Sequence, residues 1–272
     1  METASDKPLF TPGPLTTSRT VREAMLRDLG SRDPEFLGVV RRIRSGLLAA
    51  AGVGTDTGWE AVPMQGSGTF GIEAVFVSLT PPEGRWLVVA NGAYGDRMER
   101  ICRTAGIGVE VLRFREDEPV DPARVADRLD ALEGITGVAT VHCETTSGIV
   151  NPVEAIAAVV AERGNVCFVD AMSAFGGIPL DLGGTGIDVL VSSANKCVEG
   201  VPGFSFALVK RELLERAAGW TRSLALDLPG QWRGLETNGQ FRFTPPTHAL
   251  LAFDRALTEL AEEGGPVGRA RR

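Results

Sequence analysis

The sequence predicts an α/β protein built on a mostly parallel sheet with helices on both faces. Three observations point there. Short apolar runs, Leu87–Ala90, Gly137–Val141, Val166–Asp170 and Asp188–Ser192, alternate with segments of helical periodicity, the order that builds βαβ units. Each run opens into a polar or glycine-containing turn, as strands do where an open sheet gathers its functional loops. The 272 residues, 43% of them hydrophobic, suffice to bury a substantial core in one large domain or two small ones.

In chain order, Leu9–Ser18 is an irregular, proline-broken arm that either packs or lines a substrate entrance, and it ends in a helix N-cap. Helices are expected over Thr20–Leu29 and Phe36–Ala51. The second buries Phe36, Val39, Val40, Ile43, Leu47 and Leu48 and turns Arg41, Arg42 and Arg44 largely to solvent. A short apolar segment after Glu60, interrupted as a strand by Pro63, enters the turn Gly66-Ser67-Gly68, and a helix begins at about Thr69. Backbone N–H groups of such a turn, with the helix dipole, bind an anion, and Ser67 and Thr69 add hydroxyls. Residues 66–71 formally match G-x-G-x-x-G. Asn91 stands where a dinucleotide site wants an acidic residue and no Walker lysine follows, so a single phosphate fits better.

Tyr94, the only tyrosine, lies between small residues, where its ring can stack on a flat cofactor. Arg97–Ala105 reads as a helix, Val109–Phe114 as a strand, and Asp121-Pro122 as the start of a further helix. His142–Ser147 offers polar groups to a ring or substrate, with Thr146 selected for a ring hydroxyl. Ile156–Glu162 is helical, and Phe204–Val209 returns antiparallel. Beyond it, Glu212–Trp220 is helical, Leu228–Thr244 loop-rich, and Thr247 to about Glu263 a long amphipathic helix.

Composition narrows the function. Charged residues make up 23% and the formal net charge is −7, with no basic block before the last few residues, so no nucleic-acid partner is expected. No apolar run approaches the roughly 20 residues of a membrane span, and the start lacks the regions of a secretory leader. A cytoplasmic location without a membrane partner is expected. Cys102, Cys143, Cys167 and Cys197 form no C-x-x-C pair and read as buried free thiols of a reducing compartment. His142 and His248 are too far apart in sequence to suggest a metal site, and the absence of G-x-S-x-G argues against a serine hydrolase.

The chemistry centres on Val189–Val209, where two apolar runs flank a polar turn carrying Lys196. An amine held between buried strands loses hydration, its pKa falls, and it can form a Schiff base with a carbonyl. Asp170 ends the run Val166–Asp170 and so places a carboxylate at the C-terminal edge of a buried strand; capping the next element is its alternative use. A lysine to hold an aldehyde and a carboxylate to keep a pyridine nitrogen protonated fit pyridoxal phosphate chemistry.

Six motifs in order, Thr11-Pro-Gly-Pro14, Gln65-Gly-Ser-Gly-Thr-Phe70, Asn91-Gly-Ala-Tyr-Gly95, His142-Cys-Glu-Thr-Thr-Ser-Gly148, Val169-Asp-Ala-Met-Ser173 and Ser193-Ala-Asn-Lys-Cys-Val-Glu-Gly-Val-Pro-Gly-Phe204, resemble the 2-aminoethylphosphonate–pyruvate transaminases. These are class V aminotransferases of fold type I among pyridoxal phosphate enzymes. The resemblance implies that Lys196 binds the cofactor aldehyde, Asp170 pairs with the pyridine nitrogen, Ser67, Gly68 and Thr69 hold the phosphate with Ser193 beside it, and Tyr94 stacks on the ring. It further implies a homodimer in which Thr244 reaches the partner's phosphate, and substrates 2-aminoethylphosphonate and pyruvate. Residues 1–20 are then an arm, 21–246 the cofactor-binding large domain, and 247–272 the start of a linker helix. A further small domain, with the arginine that grips the substrate anion, is expected to follow; no residue of this chain takes that role. Another class V transaminase, of the alanine–glyoxylate or serine–pyruvate type, and a homologue that binds the cofactor with impaired turnover are the alternatives.

Overall fold

The computed structural model describes residues 7–272. Strands β1 (Trp59–Gln65), β2 (Arg85–Ala90), β3 (Gly108–Arg113), β4 (Ile135–Val141), β5 (Val166–Asp170), β6 (Val189–Ser193) and β7 (Phe204–Lys210) form one sheet in the order β1-β7-β6-β5-β4-β2-β3. Strands β2 to β6 run parallel, and β7 is antiparallel to both of its neighbours, as the sequence predicts for Phe204–Val209. The nearly continuous apolar text of β4, β5 and β6 follows from burial on both faces.

The helices are α1 (Arg19–Glu23), α2 (Pro34–Ala50), α3 (Gly68–Leu79), α4 (Ala93–Thr104), α5 (Pro122–Asp130), α6 (Val153–Glu162), α7 (Arg211–Arg216), α8 (Leu228–Asn238), α9 (Thr247–Glu262) and α10 (Gly265–Arg271). Helix α3 packs on β6 and β7, α4 on β2 and β3, α6 on β4 and β5, and α2 on β1 and α9. The apolar stripe of α2 is buried as its spacing requires. None of the helices among the described residues is long and apolar enough to cross a membrane.

Several expectations change. Pro63 does not interrupt its strand: it pairs with Phe206 inside β1, which is tolerated because β1 is an edge strand with a single neighbour. The segment 228–244 is not mainly loop, since α8 starts with Asp227 accepting from Gly230 N–H and Pro229 in the first turn, an N-terminal signal that its glycines obscure. Gln231 of α8 lies against the β1 edge and donates to the Pro63 carbonyl at 3.2 Å. Helix α1 is shorter than its periodicity suggests and buries only Val21. Arg41 and Arg42 are exposed, but Arg44 is not part of a solvated face. Its side chain is 14% exposed and bridges Glu236 and the buried Glu60, whose other oxygen accepts from Arg211 at 2.8 Å. Residues 1–6 of the expected arm lie outside the described residues.

Removing Arg44 leaves the Glu60 carboxylate buried with one partner. Arg44→Ala is therefore expected to destabilise the fold by about 2 to 4 kcal/mol, whereas Arg41→Ala on the same helix should stay within about 0.5 kcal/mol; urea unfolding of the two variants measures the contrast.

Candidate functional site

Strands β1, β2, β4, β5 and β6 point the same way, so the residues that follow them collect along one sheet edge. There stand the Gly66–Thr69 turn, Asn91–Tyr94, His142–Ser147, Asp170 and the turn that carries Lys196.

Lys196 is half-buried in a tight turn, in which Glu199 N–H donates to the Lys196 carbonyl at 2.7 Å and Gly200 N–H to the Ala194 carbonyl at 2.8 Å. The N-terminal arm crosses over it. Leu15 N–H donates to the Asn195 carbonyl at 3.3 Å, and a Cβ on Gly13 would lie 2.4 Å from Lys196 Cδ and 2.7 Å from Nζ. Only glycine lets the arm's backbone rest against the amine at that distance. The arm thus packs against the turn that carries Lys196.

Asp170 ends β5 and is 3% exposed. Its Oδ1 accepts from Met172 N–H at 2.9 Å. Burial pushes its carboxyl up to about 6; the Met172 hydrogen bond opposes the rise, Glu144 adds to it, and the charges of Arg97 and Lys196 pull it down. The Asp170 carbonyl accepts from His142 N–H at 2.8 Å. Burial holds the His142 imidazole down at about 4, so it is neutral, and its Nδ1 has no partner.

Ser67 is the N-cap of α3 but makes no side-chain cap bond, and the first turn carries no acidic side chain. Its hydroxyl and the N–H groups of Gly68 and Thr69 are the donors of an N-terminus open to an anion. A Cβ on Gly68 would lie 2.5 Å from Met172 Sδ, so the turn seats directly on the residue that donates to Asp170. Tyr94 lies in the first turn of α4, which begins earlier than expected. Its N–H donates to Glu144 Oε2 at 3.3 Å, and Arg97 on the same helix face places its guanidinium 4.5 Å from the centre of the Tyr94 ring. Arg97 also donates to Thr69 Oγ1 at 3.4 Å.

Ser193 is buried at the end of β6 and donates to Asn195 Oδ1 at 3.1 Å. The Thr146 hydroxyl is turned to Glu144 Oε1 at 2.9 Å, whereas Thr145 shares a 2.6 Å hydrogen bond with Ser173, in the turn after Asp170. Thr145, rather than Thr146, is thus joined to the segment of the buried carboxylate. Thr244 is exposed beside the glycine turn, where its carbonyl and that of Phe243 accept from Gln65 Nε2. The sequence reading includes Glu144 only within the segment His142–Ser147 and gives Arg97 no place in the site. The spacing of Arg97, three residues after Tyr94 on one helix, was the available signal.

The four cysteines are free; Cys102 and Cys167 are buried and Cys143 and Cys197 half-buried. Burial pushes the Cys102 thiol up to about 12, a protonated and inert group.

A basic amine, a buried carboxylate, a flat ring and an open helix N-terminus match, in turn, an aldehyde, a protonated ring nitrogen, a planar heterocycle and a phosphate. These residues fit pyridoxal phosphate. Comparisons with known proteins agree. The family profile for Aminotransferase class-V matches residues 50–265. The chain is 50% identical over 262 residues to 2-aminoethylphosphonate–pyruvate transaminase of Syntrophobacter fumaroxidans, covering 96% of this chain and 70% of that protein. It is 47% identical to 2-aminoethylphosphonate–pyruvate transaminase 2 of Burkholderia lata, covering 100% of this chain and 72% of the relative. The crystal structure of pyridoxamine–pyruvate aminotransferase from Mesorhizobium loti matches with a TM-score of 0.89 at 27% identity, over 100% of this chain and 69% of that one.

Because the folded Asp170 carboxyl titrates at about 6, above its unfolded value of about 3.9, its contribution to stability is fully present below the unfolded pKa. It is lost as pH rises through about 6. Asp170→Asn, which cannot ionise, should gain about 2 kcal/mol over the wild type between pH 4 and pH 8 in the absence of cofactor, read from urea midpoints at the two pH values.

Proposed function

The chain belongs to the class V aminotransferases, and we propose that it moves the amino group of 2-aminoethylphosphonate to pyruvate, giving phosphonoacetaldehyde and L-alanine. The observation that carries the reading is the meeting of Lys196, Asp170 and the uncapped N-terminus of α3 at one sheet edge. The identity to transaminases bearing that substrate's name, close to half of all residues over nearly the whole chain, favours it over the alanine–glyoxylate alternative.

Pyridoxal phosphate supplies an aldehyde for the amine and a ring that withdraws electrons from the carbon bearing it. Lys196 would hold the aldehyde through its amine. Once the substrate's amine displaces it, the freed Nζ would take the proton from the amino-bearing carbon as a base and return a proton as an acid. Ionised Asp170 would accept a hydrogen bond from the protonated ring nitrogen and so keep the proton there. Tyr94 supplies a flat surface for the ring. Ser67, Gly68 and Thr69 would hold the phosphate, with Ser193 at the adjoining strand end. The ring-hydroxyl contact expected of Thr146 would fall to Thr145, whose hydroxyl is joined to Ser173 beside Asp170.

A homodimer belongs to this reading. Phe70 and Phe243, 52% and 45% exposed, line a groove of about 630 Å³ with Thr244 and Gly66, an apolar face that a second copy would cover. Thr244 would then serve the partner's phosphate, with 21–246 as the cofactor-binding domain and 247–272 the start of a linker. Light scattering should give a mass twice that of one chain. A cytoplasmic site of action goes with these small-molecule substrates.

Visible absorption of the purified protein tests the reaction. A band should appear with pyridoxal phosphate, fade with 2-aminoethylphosphonate and return with pyruvate. No band would sink the cofactor assignment; a band that ignores this amine but answers to another amino donor would sink the substrate. Lys196→Ala should remove the band while the fold persists, and Asp170→Ala should slow turnover by about a hundredfold or more. Tyr94→Phe should be mild and Tyr94→Ala should weaken cofactor binding by about tenfold; equal effects would assign the hydroxyl instead of the ring.

A further inference from the structure

The turn carrying Lys196 is held from its far side by the last helix. Among the described residues Glu199 is the one non-glycine residue with positive φ, at 64°, a left-handed backbone that side-chain-bearing residues seldom adopt unless their surroundings impose it. Glu199 is three residues past Lys196, and its N–H closes the turn onto the Lys196 carbonyl. The surroundings that impose the shape come from α10. Arg269, its side chain 5% exposed, donates through Nη1 to the Cys197 carbonyl at 2.6 Å. The same nitrogen lies 3.5 Å from Glu199 Oε2. Its other nitrogens make a two-pronged contact with Glu263, Nε to Oε2 at 2.7 Å and Nη2 to Oε1 at 2.8 Å. Arg272 pairs with Glu199 and, at 3.2 Å, with Glu263. Hydrogen bonding to Arg269 is the largest of the influences that hold the Glu263 carboxyl below its ordinary range.

A guanidinium suits this place because its planar fork fixes direction as well as charge. One arm of the fork is fixed by a carboxylate on the chain before α10, and the other is aimed at the peptide immediately after the lysine. Lysine at 269 could supply the charge but not both contacts.

We propose that Arg269 is a positioning residue for Lys196, clamping the Cys197–Glu199 turn so that the amine keeps a fixed place at the sheet edge. The inference rests on the assignment of Lys196 as the residue that binds the cofactor aldehyde, but the clamp can be read without the cofactor.

The test compares wild type, Arg269→Met, Glu199→Gly and the double variant. In the cofactor-free protein, amide hydrogen exchange at Glu199 and Gly200 should accelerate by about tenfold or more in Arg269→Met. Stopped-flow capture of pyridoxal phosphate should slow by about tenfold, as expected when a reacting group is loosened by a fraction of an ångström. Glycine adopts the left-handed conformation without being held, so adding Glu199→Gly to Arg269→Met should restore much of the capture rate. Arg269→Lys should fall between wild type and Arg269→Met, and it carries the comparison if the methionine variant does not fold. A purely structural Arg269 would lower the thermal midpoint while leaving turn exchange and capture rate at wild-type values, and that result overturns the proposal. So does a double variant that recovers nothing. Faster turn exchange in Arg269→Met, in a protein whose wild type captures no cofactor, would retain the clamp and instead refute the proposed function.

Discussion

The buried carboxylate of Asp170 is the constraint on which the rest of the active edge depends. An ionised group 3% exposed forfeits most of its hydration, a penalty of several kcal/mol unless partners replace the water. The partners come from the segments that follow three strands, β5, β6 and β2. Met172 N–H bonds it directly, Lys196 approaches from the turn after β6, and Arg97 from the first turns of α4. Because β2, β5 and β6 are parallel, their ends lie level, and the segments that follow them can reach one carboxylate. An antiparallel neighbour would have sent half of those loops to the opposite edge. The one antiparallel strand beside them, β7, begins at this edge and pairs Ser205 with Ser193, so it closes the lysine turn rather than breaking the row.

Lys196 is confined from two sides by different means. On the inner side the arm presents Gly13, whose missing side chain lets the backbone come within contact distance of Cδ, Cε and Nζ. On the outer side Arg269 reaches across from the last helix to the Cys197 carbonyl. Residues near both described ends of the chain thus converge on the one turn that carries the amine, through contacts that depend on packing rather than on sequence neighbourhood. Confinement matters because a lysine side chain has four rotatable bonds and about 2 kcal/mol of rotamer entropy. A turn that fixes its Cα alone leaves most of that freedom, whereas a roof over the methylenes removes it.

Much of the fold was legible because its signals are local. The run Val166–Asp170 ends abruptly in a carboxylate, and the turn after β6 isolates one lysine between two apolar runs; period and polarity alone place both. What failed to read was set by tertiary context. Pro63 argues against a strand until β1 is known to be an edge. Helix α8 hides behind Pro229, Gly230 and Gly234, which mark a loop unless the Asp227 cap is recognised. Thr145 and Thr146 are equivalent in the sequence, and only the turn geometry sends one hydroxyl to Ser173 and the other back to Glu144. Arg269 carries no local sign of its role, since its partner Cys197 lies 72 residues away.

The charges at this edge explain why ring and phosphate suit it as a unit. Lys196 and Arg97 bring positive charge toward Asp170, and Glu144 opposes them. An isolated anion would have to compete with ionised Asp170 for those two cations. A protonated ring nitrogen brings the positive charge that Asp170 lacks, so the carboxylate is matched at its own position. The cations would then be released toward groups nearer to them: Arg97 already bonds Thr69, in the glycine turn. A phosphate would meet the positive end of α3, where the helix dipole amounts to about half a unit charge and no acidic side chain intrudes. A ligand with its positive end at Asp170 and its negative end at α3 therefore satisfies both ends at once, whereas either half alone leaves one of them unpaired.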